Sequence, residues 1–532
     1  MAERLLQSNR GPSLREGLIA AALIALLGVL AYGGFVTDGG FYSDDWAHVA
    51  DYEFAESPRY VHSFEQQREF LGGRPLSAAL MPLPQAVFGT NAESHLILAL
   101  VIGVLASIAF FVLLRTLGMA PLHAGVIAAL TLLFPWADSS RLWATGSVNS
   151  VSVAVFFVAL TVAVRGFAHS RRRGTAMHAL AAFLYLLSVL TYEVTAAVAL
   201  LAGLLYFGRT ERRVALRAWA ADAAIVFAAL LYSLIATTSA RPVATVRGRL
   251  EDLPDFVREA LLLLSSAFQP FGSMSRPAQA LVLLAAALVV AALALRLRRR
   301  GESPLRETTL EGWPRWMLIG FLAAAGAYFM FLGSHLYPRD GGINNRVNVL
   351  AGFAICLLVY ATIACACQLL LRSPRRAGIA TLVVALVLGA GYAISLEDDQ
   401  SQWRQAAEQQ AAILDDLDAE LLPLPDHSIV LVFGYPAQAA PGIPVFDRSW
   451  DMGGALQVRS GGAVRAAYPV HESVEVSCGR RVGVDGGEGY GSFTIDYGRL
   501  YFYDAELGPE KIDSRRSCKA ILGRYKPGPL EI

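Results

Sequence analysis

Lysine is nearly missing from this sequence: Lys511, Lys519 and Lys526 all lie near the C-terminus, so arginine alone supplies positive charge elsewhere in the 532 residues. There is no Gly-x-x-x-x-Gly-Lys-[Ser/Thr] phosphate loop, no His-Glu-x-x-His, no cysteine pair at zinc spacing and no nucleophile elbow. These absences argue against nucleotide hydrolysis as an energy source within the chain, and against zinc-peptidase or α/β-hydrolase chemistry. No internal repeat and no low-complexity tract stands out. Cysteine is scarce, and the five residues divide by environment. Cys356, Cys365 and Cys367 lie in or beside an apolar run as small core residues, whereas Cys478 and Cys518, in a polar segment, can pair as a disulfide in an oxidising compartment. The formal net charge of +1 conceals arginine clusters between apolar runs and an acidic excess over about the last 130 residues. That pattern gives no reason to expect a nucleic-acid partner.

What is present is apolar surface. A 55% hydrophobic composition with mean hydropathy +0.45 exceeds what one soluble domain can bury, and predicts a polytopic α-helical membrane protein. Leu18 to Val36 is long enough to span and has no clear small-residue cleavage site, so it is expected to be a retained first helix. Further spans are expected near 93–115, 120–136, 148–166, 176–190, 194–208, 215–237, 277–296, 316–334, 347–371 and 377–396, about eleven in all, each near or somewhat below the length needed for a core of about 30 Å. Arg4, Arg10 and Arg15 place the N-terminus in the cytoplasm by the positive-inside rule, and the clusters at 171–173, 209–217, 296–300 and 372–376 fall on the same side. The domains expected are a cytoplasmic N-terminus (1–16), a membrane domain (17–396) with outer loops 37–91 and 238–276, and a soluble extracytoplasmic domain (397–532). This last domain, with strands expected at 428–433, 474–477, 492–496 and 500–503, is α/β or mostly β. Between Arg173 and Arg209 lie 35 residues, about 52 Å if one helix. Two basic ends and too much length predict a hairpin of short helices with Thr191-Tyr192-Glu193 at its outward apex.

The strongest functional signal is Phe41-Tyr42-Ser43-Asp44-Asp45-Trp46-Ala47-His48, directly after the first apolar run. Two adjacent carboxylates at the rim of a membrane helix can serve a substrate whose lipid tail stays in the bilayer. One takes a proton from an acceptor hydroxyl while the other orients it, fixes a sugar hydroxyl or holds a divalent metal, and His48 can join either version. Ser43 as an N-cap with two acids in the first helical turn accounts for the same residues structurally. Glu193, between apolar arms, is expected to have a partner or a function, and is carried to the same side as Asp44 and Asp45. Arg339, Asp340 and Asn344-Asn345-Arg346 form a short outer loop whose guanidinium suits a phosphate oxygen pair; snorkelling to headgroups is the plain alternative. Arg74, Arg141, Trp143 and Tyr192 complete the substrate-binding candidates, with Trp143 also suited to an interfacial belt.

Tyr-Ser-Asp-Asp-Trp at 42–46, Gly-Gly-Arg-Pro-Leu at 72–76, Leu-Thr-Tyr-Glu at 190–193 and the Arg346 loop together resemble the GT-C superfamily of integral-membrane glycosyltransferases, over roughly residues 15–395. Thr-Tyr-Glu stands where many relatives carry Ser-Lys-Glu. The resemblance implies a polyprenyl-phosphate sugar donor held by Arg346 and Arg74, an Asp44 or Asp45 base, inverting single displacement, Glu193 as a positioning group, and a glycan, lipid or protein acceptor at the outer face of the cytoplasmic membrane. A lipid-linked sugar transporter or flippase, and a polysaccharide polymerase or ligase, are the competing functions.

Overall fold

The structure, a computed structural model, describes residues 12–237, 246–270, 312–332, 334, 336–371, 373–486 and 490–530. Among these, seven helices are long and apolar enough to cross a membrane: Leu14–Asp38, Ala92–Thr116, Ser147–Gly166, Arg171–Thr191, Arg212–Ala236, Ile343–Leu370 and Pro374–Glu420. Pro121–Leu133 and Glu193–Gly208 are shorter apolar helices, and Trp313–Phe329 is a further one. Ten of the expected spans thus have a helical counterpart, and the one at 277–296 lies outside the described residues. The loop expected at 238–276 holds the helix Val246–Phe268. The long segment after Arg173 does break at Tyr192, whose extended backbone (φ −156°, ψ 123°) ends one helix before the next begins.

The central helix is Val349–Leu370, because its small residues let neighbours come close. Gly320 of the adjoining helix rests on the backbone of Ala354 and Leu358, and Gly352 lies against the Phe134 ring. Cys356 and Cys365 are buried in this helix, and Cys367 is half-buried. Two arginines mark one end of the bundle: Arg115 pairs with Glu16, and Arg209 Nη2 donates to Leu117 O at 2.9 Å. Asp44 lies at the opposite end, beyond the end of Leu14–Asp38.

Pro374–Glu420 is one continuous helix of 47 residues, so the boundary expected at 396/397 falls inside a rigid rod. Its membrane half packs in the bundle, and its polar half carries the first loop. Gln400 Nε2 donates to Ala31 O (2.8 Å), Tyr42 Oη to Trp403 O (2.9 Å) and Trp46 Nε1 to Gln410 Oε1 (3.2 Å). Beyond it the chain forms an α/β domain. Strand β1 (Ser428–Phe433) pairs in parallel with β4 (Val464–Val470) and β8 (Leu500–Tyr503), and β8 pairs antiparallel with β9 (Glu510–Ile512). A hairpin, β2 (Gln438–Ala440) with β3 (Ile443–Pro444), precedes the helix Ser449–Arg459, and β5 (Glu475–Cys478), β6 (Val482–Asp485) and β7 (Ser492–Ile495) form a separate antiparallel sheet. Cys478 and Cys518 are bonded, tying that small sheet to the last helix, Arg515–Leu522.

Candidate functional site

The acidic loop is built around a strained turn. Ser43 has φ 48° and ψ −119°, a conformation that costs a non-glycine residue on the order of 1–3 kcal/mol and persists only where its surroundings impose it. Its side chain does not cap the helix Asp44–Glu53, contrary to the expected N-cap. The two acids then part. Asp45 is 3% exposed; its Oδ1 accepts from Thr145 N (2.8 Å) and Thr145 Oγ1 (2.6 Å), and its Oδ2 from Tyr42 N (3.1 Å). Burial pushes its carboxyl up to about 7 against the pull of those bonds. Asp44 is half-buried, and its sole hydrogen bond among the described residues is a long one from Ser43 Oγ (3.5 Å). One carboxylate therefore holds the loop and the other is available. Asp45 also lines a small cleft of about 30 Å³ with Phe41, Gln85, His95 and Thr145.

His48 is buried one turn on; Gln67 Nε2 donates to its Nδ1 at 2.9 Å. Burial lowers the basicity of the ring against the opposing charges of Asp44 and Asp51. Among the described residues no group of three His, Cys, Asp or Glu side chains is arranged to hold a metal ion. With both Asp45 oxygens accepting hydrogen bonds, Asp44 is the member of the pair whose carboxylate is left without a close hydrogen bond among the described residues.

Arg74 and Glu193 meet. Nε donates to Oε2 at 2.8 Å and Nη2 to Oε1 at 2.5 Å, a bidentate fork with the guanidinium 4.3 Å from the centroid of the Tyr192 ring. Ser77 Oγ donates to Thr191 O at 2.5 Å, seating the short helix Pro75–Leu80 on the turn. The Gly-Gly-Arg-Pro-Leu element and the Thr-Tyr-Glu apex are thus one unit. The two glycines are required there: a Cβ on Gly72 would come within 2.6 Å of Ala236 O, and one on Gly73 within 2.8 Å of Ser233 O.

The Arg346 loop is anchored from below. Asn345 is fully buried; its Nδ2 donates to Asp138 Oδ1 at 2.7 Å and its Oδ1 accepts from Ser139 N at 3.1 Å. Asn345 therefore supports the loop from within. Arg141 is likewise internal, with Nε donating to Tyr32 Oη (2.6 Å) and Nη2 to Phe134 O (2.9 Å). Trp143 is 2% exposed, a packed floor instead of an interfacial belt residue, and the Arg346 guanidinium lies 5.3 Å from its ring centroid. Arg346 is half-buried and makes no ion pair with any described residue. Arg339 is exposed and accepts at its carbonyl from Asn348 Nδ2 (2.7 Å). The turn from Trp143 to Thr145 joins the two halves: Arg346 stacks on its first residue and Asp45 is bound to its last.

Sequence reasoning missed Asp138 and Asp399. Asp138 is fully buried, and burial raises its carboxyl to about 6 against the hydrogen bond from Asn345 Nδ2; Asp399 lies near enough for the Asp138 charge to raise its own carboxyl. A lone acid after Pro-Trp-Ala was the available signal.

No family model matches the chain, and no curated protein matches it. Several solved structures are similar, two of which are described. One is the Archaeoglobus fulgidus oligosaccharyltransferase tethered with an acceptor peptide, at 12% identity and TM-score 0.38, covering 85% of this chain and 63% of that one; the chain thus spans under two thirds of that protein. The other is ArnT from Cupriavidus metallidurans bound to undecaprenyl phosphate, at 11% identity and TM-score 0.39, covering 83% of this chain and 85% of that one.

Proposed function

We propose that this chain is a GT-C-type glycosyltransferase that moves a sugar from a polyprenyl-phosphate carrier to a hydroxyl of a cell-envelope acceptor, at the outer face of the cytoplasmic membrane. The observation that carries this reading is the division of labour at 44–45: a buried, triply bonded Asp45 holds a strained turn that presents the free carboxylate of Asp44. Asp44 takes the proton of the acceptor hydroxyl as its oxygen attacks the anomeric carbon, and the bond to the phosphate oxygen breaks with inversion. The leaving phosphate is a weak base, so cationic stabilisation replaces a general acid. Arg346, unpaired and stacked on Trp143, supplies it. Arg74 is committed to Glu193, so that pair shapes the lateral wall and meets the donor as a neutralised unit. His48 stays neutral and orients the Asp44 helix through Gln67.

A transporter would set charged groups near the bilayer midplane, whereas the candidate acids and arginines here gather at one end of the bundle. The test is transfer of radiolabelled sugar from a panel of polyprenyl-phosphate donors by purified protein in lipid, beside the Asp44→Ala/Asp45→Ala variant. Transfer by the parent and none by the folded variant is expected. Label that crosses the bilayer unchanged, equally in both proteins, would overturn the enzymatic reading in favour of transport.

A further inference from the structure

The C-terminal domain closes over Asp44 along a defined register. The ideal Cβ position of Gly454 lies 2.5 Å from Trp46 O, and that of Gly462 lies 3.0 Å from the Phe54 ring. Since 454 faces 46 and 462 faces 54, the helix Ser449–Arg459 runs side by side and parallel with Asp44–Glu53. That register sets Asp44 opposite Met452, so the residues just before Ser449 lie about one helical turn beyond the start of Asp44–Glu53, on the side of Ser43 and Asp44. Electrostatics agrees, because the charge of Asp44 acts on the carboxyl of Asp447.

A second contact fixes the other end of the same segment. Ile343 N donates to Gly442 O at 2.9 Å, and the Gly342 Cβ position lies 2.4 Å from Gly442 C, so two glycine backbones touch where a side chain on residue 342 would separate them. Both take positive φ, 66° and 75°, which favours glycine. Residues 442–448 therefore form a strap from the Arg346 loop to Asp44. It is held by Gln410 Nε2 donating to Val445 O (2.6 Å) and His471 Nε2 donating to Asp447 O (3.3 Å).

The strap ends in two polar side chains with unequal duties. Asp451 spends its carboxylate on backbone amides, accepting from Asp447 N (3.0 Å), Arg448 N (3.1 Å) and Met452 N (2.6 Å). Asp447 lies against it, is 7% exposed, and its Oδ1 meets no hydrogen-bond donor among the described residues; burial raises both carboxyls. The Arg448 side chain is 33% exposed and its ion pair with Asp447 is loose, at 3.7 Å. Beside it Trp450 is 40% exposed, with the guanidinium 5.9 Å from its ring centroid. A buried acceptor oxygen, a forked donor and an open indole face are the groups that recognise a pyranose: vicinal hydroxyls for the first two, the C–H face for the third.

We propose that the strap 442–448 forms the acceptor wall of the site, with Asp447, Arg448 and Trp450 binding a saccharide acceptor opposite Asp44. This rests on the glycosyltransferase reading and adds the acceptor class and the residues that select it.

The experiment measures release of sugar from a polyprenyl-phosphate donor in proteoliposomes, partitioned between water and added methyl α-D-glucopyranoside or methyl α-D-mannopyranoside. Arg448 is half-buried and Trp450 exposed, so Arg448→Met and Trp450→Ala should fold. Each is expected to raise the half-saturating pyranoside concentration about tenfold or more, the scale of one lost charged hydrogen bond or stacking contact, with donor KM unchanged. Arg448→Lys should recover part of the loss. Asp447→Asn serves as a second probe of the same wall. Unchanged half-saturation in all of them, or label diverted only to a short-chain diacylglycerol or a serine peptide and never to pyranosides, would overturn the proposal. Failure of the parent to cleave any donor would instead overturn the glycosyltransferase reading itself.

Discussion

Gly454→Ala is the substitution that the packing predicts most sharply. The added methyl would lie 2.5 Å from Trp46 O, 2.6 Å from Trp46 C and 2.9 Å from Ala47 N, all backbone atoms that cannot rotate away. Ordinary contacts between such atoms lie near 3.5 Å, so the two parallel helices must part by about 1 Å. Overpacking of this kind costs about 1–3 kcal/mol. The displacement also carries the strap away from Asp44, and a misplacement of that size can cost on the order of a hundredfold in rate. Thermal unfolding in nanodiscs and the transfer assay read the two effects separately. The control is the neighbouring Gly453→Ala, whose methyl meets Ala467 N and O at an ordinary 3.5 Å and should be neutral or slightly stabilising. Parental stability and rate in Gly454→Ala, or equal damage in both variants, would refute the docking register.

Asp45→Asn sets an amide against the N–H of Tyr42 or Thr145 and should cost about 1–3 kcal/mol, read as a lower melting temperature at pH 7. The pH dependence has a definite sign: with its folded value raised from 3.8 to about 7, the parent binds the proton more tightly when folded. Its stability should therefore fall as pH rises between about 4 and 7, by at most about 4 kcal/mol, and Asp45→Asn should remove that slope. Arg346→Met should raise the donor KM about tenfold or more and Arg346→Lys less, since only the guanidinium offers a planar fork; donor titration checks this. Arg74 and Glu193 are 22% and 30% exposed, so a double-mutant cycle on melting temperature should give a coupling of only about 1 kcal/mol. Opening Cys478–Cys518, 40 residues apart, should destabilise the C-terminal domain by up to about 4 kcal/mol on the chain-entropy account, seen as a lower melting temperature in Cys478→Ala.

The membrane helices were legible because apolar length is a local property. The break at Tyr192 followed from length together with two basic ends, and the pairing of Cys478 with Cys518 from their shared polar setting. Strands β1 and β8 announced themselves as β-rich apolar runs, whereas β4, with Arg465 and Pro469 in it, and the short β6 and β9 did not. Asp44 and Asp45 were marked as a pair, but their different duties depend on Thr145, a hundred residues away. Arg74 and Glu193 were named separately for the same reason: nothing local says that an arginine after two glycines will meet a glutamate 119 positions on. Arg141 and Asn345 were legible as polar residues at a helix end, and only tertiary packing turns them inward. The strap is the extreme case, because Gly342 on Gly442 and Gly454 on Trp46 are contacts between ordinary-looking segments.

The central claim is that Asp44 is the base and Asp45 its anchor. Single-turnover transfer by Asp44→Asn, with its melting temperature measured in the same preparation, tests it most directly. The account predicts a loss of about a hundredfold or more in the chemical step with stability unchanged, because the one hydrogen bond the Asp44 carboxylate makes among the described residues is the long one from Ser43 Oγ at 3.5 Å. Transfer at the parental rate by Asp44→Asn, with the loss appearing only in Asp45→Asn, would contradict it.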